Sequence, residues 1–281
     1  MIIMGSVLAL AAVLTVLQGG PAPAPAENVL FSWKAPALEE QAPELFAAAA
    51  AQGIDAVYQA VPSDSAPETL AAFTGGAAQA GLSVYLLDGD PSWGLDRTGR
   101  EMRAVVARAA DYNAAHPDAP LAGVALDVEP YLTEAWDEEP ERVLDSFVRG
   151  LTAAYRDAGE ENLHLAVCVP FFYDSKGYTQ EINRITEQCD TLVVMNYQRG
   201  HEAENIRTEL LLARLAGRQL VTAYELQPAG THGLTARNTY REAGLDALHE
   251  NFAAVQAQLG PGSLGFALHD WASLREVLND E

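Results

Sequence analysis

Two carboxylates stand two residues apart at the end of an apolar run in GVALDVEPY, residues 123–131. Neighbouring carboxyls resist ionising together, so one of them keeps its proton to higher pH and can donate it near neutrality. Hydrolysis of a glycosidic bond needs such an acid at the leaving oxygen, and a second group that stabilises or attacks the developing cation. Glu129, the outer residue, is the expected acid, and Asp127, one pleat deeper, would hold and tune it. Other apolar runs also end in polar or aromatic residues: Gln59, Asp88, Tyr197, Glu225, His269 and Trp271. Trp33, Trp93, Tyr131 and Trp136 lie in or beside loops. Flat rings stack on sugar faces, so Trp33, Trp93, Tyr131 and Trp271 are expected at a substrate site with Gln59, Asp88 and His269. The alternative for each is structural: acids tied up in a satisfied polar cluster, and rings that anchor loops over the core.

The elements that must position these residues repeat as one unit, a short β-branched or aromatic run followed by a helical pattern. The expected strands are residues 28–33, 55–61, 82–88, 123–129, 164–172, 191–197, 219–226 and 264–271. Segments such as REMRAVVARAADYN and ERVLDSFVRGLTAAYRDAG between them carry apolar residues at helical spacing, and Gly53 and Gly260 follow two of the helices. Strands that alternate one for one with helices pair in parallel, and eight such units in about 250 residues make a single (β/α)8 TIM barrel. A doubly wound open sheet is the runner-up, but it would normally place a glycine-rich phosphate turn after its first strand, where this chain reads FSWKAPALEE. Side chains alternate faces along a strand, so Gly123, Ala125, Asp127 and Glu129 share the barrel interior while Val124, Leu126 and Val128 face the helices. Glu129 then stands at the C-terminal mouth, where barrel enzymes carry their catalytic groups.

With those residues in place the chain resembles the chitinase-type glycoside hydrolases, whose strand four ends in DxxDxDxE and whose strand six ends in Met-x-Tyr. The resemblance runs in strand order across nearly the whole chain after the leader and implies that Glu129 is the acid, Asp127 its neighbouring aspartate and Tyr197 the tyrosine near the substrate's acyl group. Where that family has two earlier aspartates, this sequence has Ala122 and Ala125. Glu129-Pro130 with Glu225 on strand seven is also similar to the large retaining-glycosidase clan, which implies Glu225 as nucleophile. Val128 stands where that clan has an asparagine.

The formal net charge of −22 gives a negative surface field that repels nucleic acid and anionic lipid. Residues 1–26 combine an apolar run through Leu17 with a Pro-Ala tract, and read as a signal peptide or an N-terminal anchor plus linker ahead of a barrel domain over 27–281. The expected location is secreted, with any membrane contact made only through that segment. Cys168 and Cys189 fall on neighbouring strands at different heights and are expected as separate small residues rather than a bridge. Strand one carries Phe31-Ser32-Trp33 where metal hydrolases have His-x-His, and no GxSxG elbow occurs, so neither a metal nor another cofactor is expected. No protein partner is inferred. The expected partner is a carbohydrate, and the expected function is a glycoside hydrolase, or alternatively a carbohydrate-binding barrel without catalysis.

Overall fold

The computed structural model describes residues 26–260, 262 and 264–280, so the signal-peptide or anchor reading falls almost wholly outside the described residues. Eight parallel strands close into a barrel in chain order: β1 (Val29–Ser32), β2 (Ala56–Ala60), β3 (Ser83–Asp88), β4 (Gly123–Leu126), β5 (His164–Pro170), β6 (Thr191–Met195), β7 (Gln219–Glu225) and β8 (Leu264–His269). The main helices that follow them are α1 (Ala42–Ala51), α2 (Pro67–Gln79), α3 (Arg100–Ala115), α4 (Pro140–Glu160), α5 (Thr179–Thr186), α6 (Arg207–Ala216), α7 (Gly244–Leu259) and α8 (Trp271–Asp280). All eight expected strands form, and the fold is a single (β/α)8 barrel. Among the described residues no helix is long and apolar enough to cross a membrane.

Each helix is fixed by the apolar stripe it buries. In α4, Val143, Phe147, Leu151, Ala154 and Ala158 follow the helical repeat and are all buried against the sheet. The strands bury both faces, as parallel barrel strands must. Val124, Leu126 and Val128 belong to the outer core between strands and helices, whereas Ala125 belongs to the inner core. The inner core is lopsided. Phe31, Tyr58 and Tyr85 fill the β1–β3 side with rings 5.0–5.3 Å apart, while Ala125, Ala166, Ala223 and Ala267 face them from β4, β5, β7 and β8. Large side chains on one arc thus meet smaller ones across the interior.

Both cysteines are free and buried, Cys168 in the inner core on β5 and Cys189 in the outer core just ahead of β6.

Candidate active site

The β4 ladder stops at Leu126, earlier than expected, so Asp127, Val128 and Glu129 continue just beyond it. The Asp127 N–H still donates to the Asp88 carbonyl at 3.0 Å. The neighbouring chain comes so close here that a Cβ at Gly89 would lie 2.0 Å from the Asp127 carbonyl oxygen, which restricts position 89 to glycine. Asp127 is half-buried, and its Oδ1 is fully buried with no partner among the described residues. Burial first and the neighbouring Glu129 charge second push its carboxyl up to about 7, against an opposing pull from His269 and a hydrogen bond with the Cys168 thiol. The Tyr131 hydroxyl, two residues on, donates to Glu129 Oε2. Burial and then the Glu129 charge raise the Tyr131 hydroxyl's pKa, so it remains a donor. Tyr131 is packed in turn by Phe172, Tyr173 and Trp136, rings at 5.2–6.4 Å and near right angles to it. The sequence reading missed Phe172 and Tyr173, although the run FFYDSKGY after β5 was the available sign of them.

The opposite wall is built on β7, β8 and β1. Glu225 ends β7 facing inward, 3% exposed, and its Oε1 accepts the backbone N–H groups of Leu226 and Gln227 at 2.9 and 2.8 Å. The His269 Nδ1 lies 3.0 Å from Oε2 and 3.2 Å from Oε1. On the far side of the imidazole, Nε2 receives the Trp33 indole N–H at 3.2 Å. Phe31 and Tyr197 flank the imidazole at ring-centre distances of 5.6 and 6.0 Å. Burial alone would lower the His269 pKa, but the Glu225 hydrogen bond and charge, with Asp270 and Asp127, outweigh it and raise it. Tyr197 stands between the walls. Burial, followed by the charges of Glu225 and Asp127, holds its hydroxyl pKa well above the usual tyrosine value.

Three expected substrate contacts point elsewhere. Asp88 faces α3, where its Oδ2 pairs with Arg108 at 2.9 Å and its Oδ1 accepts the Gly89 N–H. Gln59 is fully buried toward the helix layer, in register with Ser32 and Leu86, and its Nε2 donates to the Ala60 carbonyl. Trp271 is the first residue of α8, 2% exposed in the outer core, and its indole N–H donates to Gln41 at 2.9 Å. A strand that ends at His269 turns the side chain two residues later into the helix layer. Trp93 is half-buried in a turn, Pro91–Leu95, which rests on the Pro130–Leu132 turn so closely that a Cβ at Gly94 would lie 2.5 Å from Pro130 Cβ. Its ring packs against the outer core beside that turn. Trp33, Tyr131, Tyr197, Glu225 and His269 do come together with Asp127 and Glu129. Among the described residues no three His, Cys, Asp or Glu side chains group to hold a metal ion.

No family model and no curated protein matches the sequence. Solved structures do match. A GH18 chitinase from Pseudoalteromonas aurantia aligns over 91% of this chain and 100% of its own at 11% identity, with a TM-score of 0.59. The spore cortex-lytic enzyme SleL of Bacillus megaterium QM B1551 aligns over 92% of this chain and 75% of its own at 11% identity, TM-score 0.56. The likeness is one of fold. The same barrel also matches the D-psicose 3-epimerase of Clostridium cellulolyticum H10, at 12% identity over 89% of each chain and TM-score 0.52, so the fold alone does not choose the reaction.

Proposed function

We propose that this chain is a glycoside hydrolase of extracellular or cell-wall carbohydrate, with Glu129 as general acid. The reading rests most on the carboxyl pair beyond β4: a half-buried Asp127 that keeps its proton to about pH 7 lies beside Glu129, which Tyr131 orients through one oxygen. In this reaction the proton that the pair holds passes from Asp127 to Glu129 and from Glu129 to the leaving oxygen, which leaves Asp127 as a carboxylate while Glu129 keeps the Tyr131 hydrogen bond. Glu225 is already committed to two backbone amides and His269, so the second role falls to Asp127 or to an acyl group of the substrate rather than to Glu225 as nucleophile. Tyr197, held as a neutral hydroxyl, suits an acyl oxygen. Trp33, Trp93, Tyr131 and His269 are the proposed sugar contacts. Export of the barrel through the leader completes the reading.

Ala122 and Ala125 favour the second reading, a barrel that binds carbohydrate without cleaving it. A methyl group at position 125 stands where the chitinase motif has a carboxylate, and the Asp127 Oδ1 beyond it has no partner among the described residues. The test is incubation of the protein and Glu129→Gln with N-acetylchitotetraose and with purified peptidoglycan, following new reducing ends and binding heat. Turnover by the wild type that falls about 10²–10⁴-fold in Glu129→Gln, with binding kept, supports the enzyme. Binding without cleavage by the wild type supports the second reading, and absence of both ends the carbohydrate proposal.

A further inference from the structure

The β7–β8 wall contains more machinery than a passive lining needs. Glu225 is anchored by two backbone N–H groups of its own turn, so its carboxylate has one fixed orientation. An ionised carboxylate only accepts hydrogen bonds, so the His269 Nδ1 facing it carries the hydrogen. An indole nitrogen only donates, so the Nε2 that meets Trp33 offers its lone pair. Both ends of the ring therefore select the Nδ1–H tautomer of the neutral imidazole, and Phe31 and Tyr197 fix its plane. Exposure rises along the chain of contacts, from 4% for the Glu225 side chain to 15% for His269, and Trp33 is half-buried at the lip. The acceptor thus faces the mouth, opposite Glu129.

We infer that Glu225 and His269 form a positioning dyad that presents Nε2 of His269 to a hydrogen-bond donor of the bound sugar, a hydroxyl or an amide N–H, and that the Trp33 indole N–H occupies this acceptor in the free protein. The inference deepens the carbohydrate reading and depends on it. A ligand that donates here displaces the indole N–H and keeps the number of hydrogen bonds unchanged, whereas one with an acceptor or a bare carbon at this point leaves Nε2 unpartnered and is rejected. Glu225 acts through His269 and does not touch the sugar. In Glu225→Gln the amide oxygen keeps the two backbone N–H groups and the amide nitrogen faces Nδ1. The hydrogen then moves to Nε2, which ceases to accept.

Imidazole and indole ¹⁵N–¹H correlation spectra at pH 8, with and without N-acetylchitotetraose, test this. In the wild type His269 is expected as the Nδ1–H tautomer, and the sugar shifts both its Nε2 signal and the Trp33 indole N–H, assigned through Trp33→Phe. Glu225→Gln is expected to show the opposite tautomer and at least tenfold weaker binding. Trp33→Phe keeps the Nδ1–H tautomer, because Glu225 sets it, and this variant decides the matter if Glu225→Gln does not fold. A wild type that binds the sugar with the His269 and Trp33 signals unmoved, or a tautomer that flips in Trp33→Phe, overturns the dyad and leaves the carbohydrate reading standing. A wild type that binds no sugar overturns both.

Discussion

On the β4 side of the mouth, Asp127 keeps one oxygen buried with no partner among the described residues, and Glu129 is held by the Tyr131 hydroxyl. On the β7–β8 side, Glu225 accepts two backbone N–H groups and the imidazole of His269. Both walls carry inward-facing acid at the end of a strand, yet hydrogen bonding gives them different capacities. A carboxylate whose lone pairs are already filled by donors is fixed in orientation and has fewer sites left to meet a substrate. One that is buried beside another carboxyl and short of donors keeps a proton to higher pH. The contrast separates the group that can react from the group that can hold.

The sharpest break of this contrast is chemical. Glu129→Gln is expected to lower turnover about 10²–10⁴-fold while leaving the melting temperature within a few degrees, and Glu225→Gln should mainly weaken binding, as saturation kinetics would show. Next is stability: Glu225→Ala strands two backbone N–H groups and His269, and should cost about 3–5 kcal/mol in urea unfolding, against under about 1 kcal/mol for Glu129→Gln.

The third concerns pH. The Asp127 carboxyl is displaced upward in the folded state, so the fold binds the extra proton between its unfolded value of 3.8 and about 7, and its contribution to stability declines as pH rises through that window. Asp127→Asn removes the titration. It should unfold at higher temperature than the wild type at pH 8, by about 2–4 kcal/mol in stability, with the difference gone below about pH 4. An equal gain at both pH values would mean that the carboxyl does not titrate as described. The smallest effect is expected at Trp271. Trp271→Phe should change sugar affinity less than about twofold, while the lost hydrogen bond to Gln41 and the smaller ring in the outer core cost about 1–3 kcal/mol, as isothermal titration and thermal melts would show.

How much of this was legible in the sequence varied with the strand. Along β4 the inward set is small or acidic and the outward set is Val124, Leu126 and Val128, so alternation assigned the faces correctly. Along β2 and β3 both faces are apolar or aromatic, as in AVYQA and SVYLLD, because parallel strands are buried on both sides. Hydropathy could not tell which face Gln59 and Asp88 take. The register did: Tyr58, Tyr85 and Leu87 point inward, which turns Gln59 and Asp88 toward the helices. Trp271 turned on a strand end two residues earlier than expected, a boundary set by where the β7–β8 ladder stops at Glu225 and His269.

The sequence by itself determined the order of strands and helices, the closure into a barrel and the inward placement of Asp127, Glu129 and Glu225, because side-chain alternation and helical spacing are local properties of the chain. Only the tertiary structure decided which of those acids is satisfied. The partners of Glu225 include His269, 44 residues away in the chain, and His269 in turn meets Trp33, 236 residues away. No local pattern records such contacts. The ionisation of a buried carboxyl depends on the donors and charges brought within a few ångströms of it, and closing the barrel is what brings them there.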